Sequence, residues 1–214
     1  MGGLPRDYNW APIMIQWTVT MNSAYENLSI GKPLQVSTKS YFLKSMNSAD
    51  VSDKYVSWWN DDQVQSKLGS VPRGWTRERA VRHVEKFDNR WRFHIGIYDK
   101  KNNTLVGFTS IVANPITKIT LTNTVIGDKA FWRVGVVKEL SAWAIPFAFE
   151  NLGMEKIKAE IKGENLGSIA VCDYLGFRKE GVLRSELPTK TGERLDVHIY
   201  ALLKSEWKRL KNVE

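Results

Sequence analysis

The 214-residue chain has a single cysteine, Cys172. That excludes an intrachain disulfide and any cysteine-rich zinc site, and it fits a reducing compartment. Long apolar runs are missing as well, since no stretch approaches the roughly 20 residues that a membrane span needs. Near the start, Met14-Ile15-Gln16-Trp17-Thr18 is broken by polar side chains, so the basic start and continuous apolar core of a secretory leader are not found. The expectation is a cytoplasmic protein with no membrane attachment. Low-complexity tracts and internal repeats are also lacking. With 43% hydrophobic and 25% charged residues, the composition is that of a folded domain and not of a disordered chain. Finally, no long basic block exists, although Lys and Arg number 31 against 23 for Asp and Glu, a net charge of +8. Such a protein attracts anions, whether nucleic acid, anionic lipid or a phosphorylated small molecule. The scatter of the basic residues weakens the nucleic-acid reading, and a plain solvated surface explains them equally well.

A chain of this length suits one domain with one αβ core. Residues 1–36, rich in Pro, Asn and Trp, show strand-like alternation without a clear helix and read as an extension packed onto a domain of residues 37–214. Tyr41 to Lys44 reads as a strand. Val51, Tyr55, Trp58 and Trp59 recur at helical spacing before an Asn60-Asp61-Asp62 break, and a second helix begins at Thr76, an N-cap with Glu78 in the first turn, burying Ala80, Val81, Val84 and Phe87. An antiparallel meander follows: a strand carrying Phe93, Ile95 and Ile97, a turn over residues 99–103, Leu105 to Val112, and Ile119 to Ile126. Leu140, Trp143, Ala144, Phe147 and Ala148 then mark a helix that stops at Gly153. Pro146 inside it costs a hydrogen bond and on the order of 3 kcal/mol unless a kink absorbs it. A strand at Ile157 to Ile161, a short helix from Leu166 to Leu175, and strands at Val182 to Glu186 and Leu195 to Leu202 complete the series.

Between the third meander strand and the long helix runs Ile126-Gly127-Asp128-Lys129-Ala130-Phe131-Trp132-Arg133-Val134-Gly135-Val136-Val137-Lys138-Glu139. A strand passing through a tight loop into a helix start presents unpaired amides and a positive dipole end, a setting that suits a phosphate. Taken alone, the segment is more simply a plain strand-to-helix connection.

Later segments add to it. Asn165-Leu166-Gly167-Ser168 opens a helix that closes on Leu175-Gly176-Phe177, followed by Glu180-Gly181-Val182-Leu183-Arg184, Arg194-Leu195-Asp196 and Ser205-Glu206-Trp207. With the Ile-Gly-Asp-Lys loop and Glu139, this series resembles the GNAT acyltransferases over about residues 40 to 207. The likeness is to the branch of ribosomal-protein alanine N-acetyltransferases and several amino-sugar and antibiotic acetyltransferases. Each motif is weak alone; in order they are specific. The resemblance implies an α+β, three-layer αβα fold with a mixed, centrally splayed sheet, and an enzyme moving acetyl from acetyl-CoA to a primary amine without a metal. It places coenzyme A on the loop Arg133, Val134, Gly135, Val136, Val137 and Lys138, on the splayed strand at Thr124, Val125 and Ile126, and at Asn165 and Ser168. Where many relatives carry a tyrosine to protonate the leaving thiolate, this chain has Cys172, which points to Ser168 as donor. A helix cap is the other reading of Ser168, and packing the favoured one of Cys172.

For the base, Glu186 and Asp196 lie on the two last strands, with Asp128 and Glu160 as alternatives. Asp196, His198 and Tyr200 share a strand face and are expected to line a polar pocket. His83 and His94 find no partner. The loop departs from the family by carrying Trp132, Arg133 and Val137 where Gln or Arg, Gly, and Gly or Ala are usual. A catalytically silent coenzyme-A-binding module therefore stays open, as does a basic nucleic-acid or ribosome-binding domain. Protein N-termini, amino sugars, aminoglycosides and polyamines all suit as acceptors, a homodimer is left open, and Trp58, Trp59, Trp75 and Trp91 are either a stacking surface or core.

Overall fold

The computed structural model describes residues 31–68, 74–189 and 192–212. Its eight strands are β1 (Gln35–Ser37), β2 (Tyr41–Ser45), β3 (Arg92–Asp99), β4 (Leu105–Asn114), β5 (Ile119–Ile126), β6 (Lys156–Lys162), β7 (Arg178–Pro188) and β8 (Arg194–Leu203). They form one sheet in the order β1-β2-β3-β4-β5-β6-β8-β7. Every neighbouring pair is antiparallel except β5 and β6. The six α-helices among the described residues are α1 (Asp53–Asn60), α2 (Asp62–Leu68), α3 (Arg77–Val84), α4 (Val136–Pro146), α5 (Leu166–Tyr174) and α6 (Lys204–Lys211).

Alternation along the meander sends its side chains into two layers. Phe93, Ile95, Ile97 and Ile111 pack with Val136, Leu140 and Trp143 of α4 in one core cluster. Phe108 and Val125 join Val51, Tyr55, Trp58, Val64, Ala80 and Val84 of the α1–α3 region in another. A third cluster sets Ile157, Ile161, Tyr200 and Leu202 of β6 and β8 against Ile145 and Phe149, Cys172 of α5 and Trp207 of α6.

Local chemistry accounts for most boundaries. Ser52 and Thr76 cap α1 and α3 by accepting from Tyr55 N and Arg79 N. At the Asn60-Asp61-Asp62 break the chain starts a second helix at once, because Asp61 Oδ1 accepts from the amides of Gln63 and Val64 at 2.9 and 3.0 Å. That helix, α2, and the C-terminal α6 are not in the sequence reading. The difficulty at Pro146 is resolved by widening: α4 runs into a single π turn over Phe147–Asn151, where Leu152 N–H donates to Phe147 O at 3.0 Å. Gly153, at φ 68°, then turns the chain out.

Of the expected extension, residues 1–30 lie outside the described residues. Residues 35–37 form β1, which pairs with β2 and sets Val36 in the core. No described helix is long and apolar enough to cross a membrane.

Trp207 is 1% exposed, with its ring 5.2 Å from that of Phe149. The short α6 is therefore part of the core. Trp207→Ala is expected to lower unfolding stability by about 3–5 kcal/mol in a urea titration; a loss below about 1 kcal/mol would show α6 to be a detachable tail.

Candidate active site

The site originates in the one parallel strand pair among the described residues. β5 and β6 are in register only at Ile119 with Lys156, Thr120 with Ile157 and Leu121 with Lys158. Beyond that, β5 continues beside β4 alone and β6 beside β8 alone, so the sheet opens between them. A cavity of about 1010 Å³ occupies the opening. Thr124, Val125 and Ile126 line it from β5, Arg133 to Lys138 from the loop and first turn of α4, and Asn165 and Ser168 from the start of α5. Glu160 and Glu186 line it as well, whereas Asp196, His198 and Tyr200 do not; Val197 does. The Asp196-His198-Tyr200 face, expected to line a polar pocket, is therefore not part of this cavity. Tyr200 is buried in the third core cluster, and the exposed Asp196 accepts from Ser185 N at 2.8 Å.

The loop before α4 holds its shape with few glycines. Asp128 Oδ1 accepts from Ala130 N to start a short turn over Lys129–Phe131. Trp132 turns inward: its ring packs with the α1–α3 cluster and Nε1 donates to Ile126 O at 2.7 Å. Two ion pairs tie the segment to α1 and the α1–α2 junction, Lys54 with Asp128 at 2.8 Å and Lys129 with Asp61 at 2.7 Å. The hydrogen bonds from these lysines hold both carboxyls below the usual aspartate range. Trp58 lies against Gly127 so closely that a Cβ there would overlap its ring.

Arg133 and Gly135 take left-handed conformations, φ 64° and 88°. Gly135 is the N-cap of α4 with no side-chain cap bond, and nothing lies within 4 Å of where its Cβ would be. Unpaired amides at the positive end of an 11-residue helix thus face open space beside Arg133. A pyrophosphate fits there. Lys138, also expected to meet it, stands with Nζ 3.8 Å from the Tyr174 ring centroid.

At the opposite wall the two readings of Ser168 separate. Asn165 is the N-cap of α5, its Oδ1 accepting from Ser168 N at 3.2 Å while Nδ2 donates to Lys67 O at 2.9 Å. Ser168 is therefore not the cap, and its hydroxyl has no partner among the described residues. Cys172 is 8% exposed within the core, and burial, then Asp173, pushes its thiol up to about 12. Among the acids, Asp128 is committed to Lys54 and Glu160 bonds Lys158 at 2.9 Å. The Glu186 carboxylate has no partner among the described residues.

The histidines do find partners. His94, 1% exposed, sits between Tyr55 Oη at 2.9 Å and Ser110 Oγ at 2.8 Å, and burial, then His83, pushes it down to about 3. His83 packs edge-on to Trp59 and Trp75. Trp75 stacks on Trp59 at 4.2 Å and carries Arg79 4.6 Å from its ring centroid, and none of the four tryptophans lines the cavity. Trp58 is buried in the core, and Trp59, Trp75 and Trp91 are partly buried against the core clusters. Sequence reasoning missed Val64, Lys67 and Leu68 of α2 and Thr109 of β4, which also line the cavity. The unread α2 hid the first three; Thr109 looks like any other residue of its strand.

A family model for the acetyltransferase (GNAT) domain matches residues 41–178, and the chain belongs to that family. Among its relatives, the Bacillus subtilis (strain 168) protein named "Probable N-acetyltransferase YjcK" is 30% identical over 114 residues, 52% of this chain and 62% of that protein. The chain thus matches less than two thirds of the length of such curated relatives. Spermidine N-acetyltransferase from Vibrio cholerae, solved with CoA and spermine, shares the fold at TM-score 0.71 and 19% identity, over 79% of this chain and 98% of that one. Ribosomal-protein-S5-alanine acetyltransferase from Vibrio fischeri shares it at TM-score 0.69 and 17% identity, over 81% and 98%.

The two left-handed positions generate opposite expectations. Gly135→Val should cost about 1–2 kcal/mol of stability and weaken coenzyme A binding, because a β-branched residue resists φ 88°. Arg133→Gly should instead raise stability slightly by relieving the same conformation, yet also weaken binding by removing a cation. Thermal melts with calorimetric titration of coenzyme A would check both, and unchanged affinity in both variants would move the pyrophosphate elsewhere.

Proposed function

We propose that this protein is an N-acetyltransferase that passes acetyl from acetyl-CoA directly to a primary amine. The observation that carries the reading is the parted β5–β6 pair, whose cavity runs to the uncapped N-terminus of α4. A long polyanionic thioester suits both parts of that space. Its pyrophosphate would accept from the α4 amides beside Arg133, and its pantetheine arm would take the backbone positions that β5 and β6 no longer offer each other.

Acyl transfer needs a neutral amine, a stabilised oxyanion and a protonated thiolate. We assign the thiolate proton to Ser168, whose hydroxyl is unengaged at the cavity wall, and the amine proton to Glu186, whose carboxylate is unpaired there. Asp196 supports the second role by holding Ser185, next to Glu186, in its left-handed turn at φ 53°. The proposed acceptor class includes polyamines and protein N-termini; the names of two proteins sharing the fold mention spermidine and a ribosomal-protein alanine. The single buried cysteine suits a reducing cytoplasm.

Coenzyme A is expected to raise the melting temperature, since a ligand bound only by the native state stabilises it. Saturating ligand without a shift or a calorimetric signal would end the proposal.

Turnover of acetyl-CoA with spermidine and an alanyl peptide, followed by thiol release, tests the roles. Ser168→Ala should lower kcat by roughly 10²–10⁴-fold at nearly unchanged coenzyme A affinity, while Cys172→Ser leaves turnover intact. The assignment fails if a natively melting Cys172→Ser is dead and Ser168→Ala retains activity.

A further inference from the structure

Thr109 and Thr124 are direct cross-strand partners on β4 and β5, and both line the cavity beyond the point where β5 leaves β6. Their hydroxyl oxygens lie 2.9 Å apart. Thr109 is 1% exposed, and its Oγ1 is also 3.3 Å from Asn123 O. Two hydroxyls carry two protons, so two arrangements satisfy this geometry. In one, Thr109 donates to Asn123 O and Thr124 donates to Thr109. In the other, Thr109 donates to Thr124, and the Thr124 proton has no acceptor among the described residues and is free for the cavity. Rotating two O–H bonds converts one into the other, with no change of rotamer.

We infer that Thr124 is a catalytic residue, its side-chain hydroxyl donating to the thioester carbonyl oxygen, and that Thr109 is the positioning residue that orients it. The inference rests on the reading of the β5–β6 opening as the acetyl-CoA site. In the reaction the amine lone pair forms the C–N bond at the carbonyl carbon, and the C=O π pair moves onto oxygen. There the Thr124 O–H hydrogen bond shortens without giving up its proton. When the C=O bond re-forms, the C–S bond breaks and the thiolate takes its proton from Ser168, while the proton shed by the amine goes to Glu186 and returns to Ser168 through solvent. A donor already held in place by a buried partner needs little reorganisation as charge develops, which is the condition for such a group to stabilise a transition state. Any backbone amide of β5 that polarises the same oxygen would act beside it.

The test uses the full chain and an unreactive probe, the ketone analogue of acetyl-CoA in which a methylene replaces the thioester sulfur, labelled with ¹³C at the carbonyl. Isotope-edited infrared spectra report how strongly that carbonyl accepts hydrogen bonds, and need no acceptor amine. Bound to the wild type, the carbonyl stretch is expected well below its unbonded value. In Thr124→Val it should move back up while calorimetric affinity stays within about twofold, because one donor of several contacts is lost. Thr124→Ser should keep the wild-type frequency, and Thr109→Val should give an intermediate, broader band from an unheld hydroxyl. An unshifted band in natively melting Thr124→Val, with the analogue bound, overturns the inference and leaves the acyltransferase reading standing. Failure of the wild type to bind the analogue overturns both.

Discussion

Strand pairing is normally continuous because an unpaired backbone group away from water costs free energy comparable to a lost hydrogen bond. In this protein β5 and β6 keep their register for three residue pairs and then part, leaving one backbone edge of each to face a cavity. The rest of the molecule is arranged around that parting. On one side β5 stays in the sheet through eight paired positions with β4, and on the other β6 is held through seven with β8. The opening is thus bounded by two stiff half-sheets. Helix α4 leaves from the end of β5 through a short loop and α5 from the end of β6, so both helix N-termini come to the mouth of the same gap.

The loop between β5 and α4 shows how one physical requirement can be met by different residues. An anion-binding loop must expose amides and hold left-handed turns, for which glycine is the usual solution. Here only Gly135 serves in that way, and Arg133 takes the same conformation with a side chain. The strain is held by neighbours: Trp132 is half-buried and bonded to Ile126 O, Trp58 covers Gly127, and Lys54 and Lys129 reach carboxylates across the junction. Exposed ion pairs contribute little singly, so the aromatic contacts carry most of this anchoring. A loop that reads as unfavourable in isolation is ordinary once its supports are in place.

Strand alternation, the Thr76 cap, the stop at Gly153 and the short helix after Asn165 were legible in the sequence because each depends on residues close along the chain. Periodicity and turn residues placed the α, β order apart from α2 and α6, and the residues of the loop and of the Asn-x-x-Ser turn could be named by number as a candidate cofactor wall. Reading failed where a local signal had two outcomes. The Asn60-Asp61-Asp62 break looked like an end and is a restart, because Asp61 caps the next helix as well. Ser168 could be read as a proton donor or as a helix cap, and Asn165 holds the cap position.

What the sequence by itself determined, then, is most of the elements (all the helices but α2 and α6), their order and the family, since these follow from hydrophobic period, turn chemistry and short motifs. Only the tertiary structure decided which side chains share the cavity. Asp196 and Glu186 are both carboxylates on the last two strands, yet one holds a strand irregularity and the other lines the cavity. The bulge between Lys179 and Gly181 shifts β7 by one residue against β8 and so exchanges the faces of the strand, and a wider irregularity between Leu183 and Leu187 sets four steps of β7 against two of β8. No local pattern records such a shift. The pairing of Thr109 with Thr124 is likewise a product of register, made by two residues fifteen apart that only the antiparallel meander brings within hydrogen-bond distance.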